Sequence, residues 1–133
     1  MIKETMTFEE LSSWHREILA KLVRVDFPGK AEVTLQLHTA TFNIIDANQS
    51  LGISTLGSLD APVVKRIPVE AYATDKDGVL VQVLLFSRTG RAYMLEILRE
   101  DGKPVRELPA IERFTVLVLA PCSVPAQSDC MVR

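Results

Sequence analysis

Val79-Leu-Val-Gln-Val-Leu-Leu-Phe-Ser-Arg-Thr-Gly-Arg-Ala-Tyr-Met-Leu-Glu-Ile-Leu98 holds two β-rich runs around the turn former Thr89-Gly90. Asp77-Gly78 precedes the first run and Asp101-Gly102 follows the second, and both dipeptides are hairpin-type turn signals. The stretch therefore predicts an antiparallel meander. Val79 to Phe86 is apolar on both faces apart from Gln82, which places that strand inside a sheet rather than at its edge. Upstream, Val69, Ala71 and Ala73 alternate against Glu70, Tyr72 and Thr74, giving the preceding strand. Downstream, Val105 to Pro109 reads as an irregular edge, and Phe114 to Leu119 as a last strand. The repeat of Asp-Gly at 77–78 and 101–102 is accounted for by turn chemistry.

The first half has a different period. Thr7-Phe-Glu-Glu10 has the form of a capping box, and Leu11, Trp14, Ile18 and Leu22 follow at helical spacing until Pro28-Gly29. Arg16, Glu17, Ser12 and Ser13 fall on the opposite face, so this helix is amphipathic and lies on something, with Trp14 as its anchor. From Ala31 the pattern reads as period two. Val33, Leu35 and Leu37 alternate with Glu32, Thr34 and Gln36, predicting a strand with His38 in phase on its polar face. Thr41 to Ile45 and Leu51 to Leu56 are further extended stretches, separated by the turn-forming residues Asp46 to Ser50. The second is weakened by Gly52, and a loop follows at 57–62.

The expected fold is α+β: one N-terminal amphipathic helix packed on a twisted, mainly antiparallel sheet of six or seven strands. The whole chain of 133 residues suits one domain, expected over residues 1–120, with a flexible tail at 121–133. Hydrophobic residues at 47% and charged residues at 24% are ordinary for a globular protein. A net charge of −2 argues against a general nucleic-acid binder. The start of the chain lacks an apolar signal-peptide core, and the uncharged run from Phe114 to Ser128 is broken by Pro121 and Pro125. A cytoplasmic protein with no membrane partner is therefore expected. In that compartment Cys122 and Cys130 are expected as free thiols.

Asp77 to Val105 resembles a family of small bacterial proteins carrying a domain of unknown function. That family shows an N-terminal helix and a Gly-turn, aromatic, Leu-Glu-Ile, Asp-Gly-x-Pro-Val pattern, matched here by Gly90, Tyr93, Leu95-Glu-Ile97 and Asp101-Gly-Lys-Pro-Val105. The resemblance extends over residues 8 to 109 and implies a one-helix-plus-sheet layout, loosely like that of bacterial immunity proteins. It brings no functional residues with it.

Chemistry-bearing residues are few. Gly52-Ile-Ser54-Thr-Leu-Gly57 misses the nucleophile-elbow spacing by one residue, and no phosphate-binding glycine motif is present. No catalytic residue, cofactor or metal site is assigned, because a metal centre needs three or four convergent ligands and the two histidines are far apart in sequence. Residues 31 to 64 carry Glu32, Asp46 and Asp60 and no Lys or Arg, together with Asn48 and Gln49. Drawn as one polar sheet edge, these residues would steer a basic protein partner. The expectation is thus a non-catalytic partner-binding module using Glu32, Asp46, Asn48, Gln49 and Asp60. The alternative is a ligand-binding or enzymatic pocket between helix and sheet. There His15 on the helix and Glu96 on the sheet would supply the polar groups, Glu96 pairing otherwise with Arg66, Arg88 or Arg91. Tyr93, Leu95 and Ile97 are expected to face the helix. Leu80, Leu84, Met94 and Leu98 would then form an apolar outer face suited to a homodimer.

Overall fold

The computed structural model describes residues 5–55 and 66–119. Over these residues the fold is α+β, with two helices and a seven-stranded, wholly antiparallel sheet. The elements are β1 (Met6–Thr7), α1 (Ser13–Arg24), α2 (Lys30–Thr39), β2 (Thr41–Ile44), β3 (Leu51–Ser54), β4 (Arg66–Thr74), β5 (Leu80–Arg88), β6 (Arg91–Arg99) and β7 (Thr115–Val118). The sheet order is β1-β2-β3-β6-β5-β4-β7, so the expected meander β4-β5-β6 forms its interior. The loop at 57–62, Asp60, the tail from residue 121 and both cysteines lie outside the described residues.

Two corrections concern the helices. Thr7 and Glu10 close a short 3-10 turn at Phe8–Glu10, in which the Thr7 amide donates to Glu10 Oε1 at 2.9 Å. The α-helix itself starts later, capped by Ser12, whose Oγ accepts from the His15 amide at 3.1 Å. The second correction is larger, because residues 30–39 are a helix and not a strand. Val33 and Leu37, four residues apart, are buried together with Gln36, while Leu35 is 52% exposed. That is helical spacing, and the alternation of Val33, Leu35 and Leu37 fits it for two of its three members. Gly29, at φ 87°, turns the chain from the end of α1 into α2, a conformation open to glycine.

Both helices cover one face of the sheet, α1 over β4 and α2 over β6. Ile18, Leu19 and Leu22 of α1 and Val33 and Leu37 of α2 bury themselves against inward-facing rows of the sheet. One such row is Ala71–Val83–Ile97 and the next is Leu51–Leu95–Leu85. Each of these aliphatic side chains contributes roughly 1.5–3 kcal/mol of burial free energy. Trp14 closes the lower rim, edge-on to Phe114 and donating its indole N–H to the Pro109 carbonyl at 2.8 Å.

The inward set on β6 departs from the expected one. Ser87 pairs with Ala92 and Phe86 with Met94, so Tyr93 is an extra residue in a β-bulge. Ala92, Leu95 and Ile97 are buried toward the helices, and Tyr93 is displaced from that row. Next to the bulge, α2 satisfies two backbone groups of the hairpin end. The buried Gln36 side chain donates from Nε2 to the Gly90 carbonyl at 2.9 Å and accepts the Ala92 amide on Oε1 at 2.9 Å.

The sheet joins two parts through a narrow seam. β3 and β6 share two residue pairs, Leu51–Leu95 and Gly52–Met94. Beyond them Ser50 Oγ accepts the Ile97 amide at 2.9 Å and contacts its carbonyl at 3.3 Å. Asn48 Nδ2 reaches the same carbonyl at 3.1 Å. On the β2 side, a Cβ at Gly52 would meet Asn43 Oδ1 at 2.7 Å, so any side chain there displaces the Asn43 amide.

Candidate functional site

The residues expected to bind a partner do not share one edge. Glu32 lies in the first turn of α2, away from the strands it was expected to extend. Asp46, Asn48 and Gln49 occupy the β2–β3 turn, where the Asp46 and Asn48 side chains and the Gln49 carbonyl serve the fold. Asp46 Oδ1 accepts the amides of Asn48 and Ser50 at 2.9 and 3.1 Å. Asn48 bridges three segments, holding Ile97 through Nδ2 and accepting the Val105 amide on Oδ1 at 2.8 Å. Gln49 sits at φ 67°, with its carbonyl turned toward α1.

His15 and Glu96 are separated by the sheet. His15 is buried under α1, and its Nε2 lies 2.8 Å from the Gln49 carbonyl, which accepts only, so Nε2 carries the proton. Nδ1, 2.8 Å from Ser12 Oγ, is then the acceptor of the serine hydroxyl. Burial lowers the His15 pKa, the bond to Gln49 opposes it, and burial prevails. The imidazole is thus a neutral tether between α1 and the β2–β3 turn. Glu96 stands on the opposite face, in the row Leu117–Glu70–Leu84–Glu96.

A charged cluster that the sequence reading did not assemble is the most constrained polar site of the described residues. β6 ends with Arg99, which continues the inward phase of Leu95 and Ile97 and is buried beside Val81. A guanidinium at that depth needs anionic partners, and it has three. Asp101 takes it in bidentate fashion, at 3.0 Å from Nε and 2.6 Å from Nη2. Nη1 donates to Asp75 Oδ2 at 2.9 Å and to Asp77 Oδ2 at 2.9 Å. Arg106 Nε adds an outer ion pair to Asp77 at 3.1 Å. The repeated Asp-Gly turns are therefore neighbours in space, and their aspartates share one arginine.

The buried Asp75 carboxylate also organises backbone. It accepts the amides of Lys76 at 2.8 Å, Arg106 at 2.6 Å and Glu107 at 3.0 Å. Burial pushes the Asp75 carboxyl up, but the Arg106 amide, the Arg99 guanidinium and the other two amides outweigh it. They hold the group well below the usual carboxylate range. Hydrogen bonds from Arg99 lower Asp77, and bring Asp101 to about 2 with help from the Lys103 amide. The carboxylates in turn raise the Arg99 guanidinium, Asp101 most strongly. The Arg99 guanidinium is committed to the protein itself, and the cluster acts as a knot that straps residues 106 and 107 to the sheet. Among the described residues no group of His, Cys, Asp or Glu forms a metal-binding set.

The sheet face away from the helices carries a group of large side chains at the bulged end of the β5–β6 hairpin. Phe86 and Met94 pair across β5–β6, and the bulge puts the Tyr93 ring 6.4 Å from Phe86. The Arg88 guanidinium stacks 4.3 Å from the centre of the Tyr93 ring. Leu80, Met94 and Leu98 of the expected apolar outer face are half-buried there, and Leu84 is buried beside the buried Glu70. No helix of the described residues is long and apolar enough to cross a membrane. Comparison with protein-family models, with curated proteins and with solved structures finds no match to this chain.

Proposed function

We propose that this chain is a protein-binding module that engages its partner through the bulged end of the β5–β6 hairpin, on the face opposite the helices. One observation carries the reading: Phe86, Tyr93, Met94 and Arg88 gather there, half-exposed or exposed, on two interior strands. Aromatic residues, methionine and arginine are the types enriched at the centres of protein interfaces. A β-bulge that re-aims one side chain is a common device next to functional sites, and here it turns Tyr93 out of the core row. The basic partner expected from Glu32, Asp46, Asn48, Gln49 and Asp60 is not the form favoured, because Asp46 is engaged within its own turn and Asn48 is spent on Ile97 and Val105.

A photo-crosslinking residue placed at Met94 and, separately, at exposed Glu17 on the far side of α1 tests this in the native host. A discrete protein adduct from position 94, missing from position 17 and lost when Tyr93→Ala is added, is the expected result. Identical adducts from both positions, or none from position 94, would overturn the proposal.

A further inference from the structure

We propose that the outer edge of β7 pairs with the β7 edge of a second copy, in antiparallel two-fold fashion, to join two sheets into one. β7 is the last strand of the sheet order, and among the described residues its backbone pairs with β4 alone. Leu117 and Val118 are 43% and 42% exposed. Edge strands are ordinarily guarded by charge, proline or a bulge, and Phe114 to Ala120 contains no charged residue and no proline. The opposite edge differs, since β1 covers β2 at Thr41 and Phe42.

The occupant follows from self-complementarity. In an antiparallel pair, residues directly opposite share a face. A two-fold axis at Leu117 puts it opposite Leu117 of the second copy, Val116 opposite Val118, and Thr115 opposite Leu119. Every pair is apolar or β-branched, and no charge is buried. Such an isologous contact closes on itself, whereas β7 laid on the β2 edge would propagate into an open chain. The axis also places the two Tyr93–Met94 faces on one side of the joined sheet. The contact does not depend on the partner-binding reading, because β6 and β7 are separated by β5 and β4.

Sedimentation equilibrium over a wide concentration range tests the proposal, with three variants of exposed or half-exposed residues: Leu117→Lys, Leu117→Glu and Met94→Lys. Wild type is expected to follow a monomer–dimer equilibrium. Each Leu117 variant alone should dimerise about tenfold more weakly, because like charges then face each other across the axis. An equal mixture of the two should recover the dimer. Met94→Lys should dimerise as wild type does, even where it abolishes partner crosslinking. A wild type that stays monomeric, or Leu117 variants that dimerise undiminished, would refute the β7 contact. Growth beyond a dimer would refute the two-fold arrangement in favour of head-to-tail pairing.

Discussion

The two ends of the β5–β6 hairpin solve the same problem with different chemistry. At the Thr89-Gly90 end, irregular backbone is held by one neutral amide, Gln36, which presents a donor and an acceptor to the bulged strand. At the Arg99 end, irregular backbone is held by a guanidinium among three carboxylates, and Asp75 presents its acceptors to the amides of Arg106 and Glu107. The neutral clamp needs only desolvation of a dipole, and its strength does not vary with pH. The ionic knot gains more from each bond in a buried setting, but it is costly to leave half-made and it titrates. The comparison shows why the two sites tolerate change differently: a neutral site loses what is removed, while a charged one also strands what remains.

The largest effect should come from Asp75→Ala. It leaves the buried Arg99 short of one anion and removes the shared acceptor of three amides, for a loss of about 3–5 kcal/mol in urea unfolding. A loss under about 1 kcal/mol would mean that water replaces the carboxylate without strain. Gln36→Leu comes next. It strands the Gly90 carbonyl and the Ala92 amide in the core and should cost roughly 2–4 kcal/mol, equally at every pH at which the fold persists.

The smallest effect is the pH dependence that separates the two ends. Asp75, Asp77 and Asp101 titrate lower in the folded chain than in the unfolded one, so the unfolded chain binds more protons between those values. Their contribution is complete above about pH 5 and is lost as pH falls through roughly 4 toward the folded values. His15, lowered by burial, acts in the same direction at higher pH, with loss beginning as pH falls through about 6.5. Urea midpoints measured from about pH 8 to about pH 3 should show both steps in wild type and in Gln36→Leu. In Asp75→Asn the lower step should flatten, and an unchanged profile there would remove the knot from the acid response.

The meander was legible in the sequence because its turns and its alternation agree. Asp77-Gly78 and Asp101-Gly102 bound runs whose period is two, and the strands fall where those signals put them. Residues 30–39 were not legible, because ten residues with apolar side chains at 33, 35 and 37 satisfy both periods in part. Tertiary contact decided between them, burying Val33, Leu37 and Gln36 together, and a strand reading turns Gln36 to solvent. The ionic knot did leave a trace: the inward phase of β6 carries Leu95 and Ile97 straight into Arg99. An inward arginine needs carboxylates, and the turn aspartates at 75, 77 and 101 were the available ones. The Tyr93 cluster left none, because a bulge is a cross-strand event that local periodicity does not record.

The narrow seam between β3 and β6 sets what must give way before the sheet can part. Two ladder pairs, the Ser50 hydroxyl, the Asn48 amide and the bond from Arg91 Nη1 to the Thr55 carbonyl join β1-β2-β3 to the four-stranded remainder. Transient opening is governed by the contacts that a given fracture breaks, and a fracture along this line also breaks the core that Phe42, Leu51 and Ile53 share with both helices. The chain places α1 and α2 between β1 and β2, so the two parts of the sheet separate only if the helices also leave β4 and β6, and the helical layer acts as the splint across the seam.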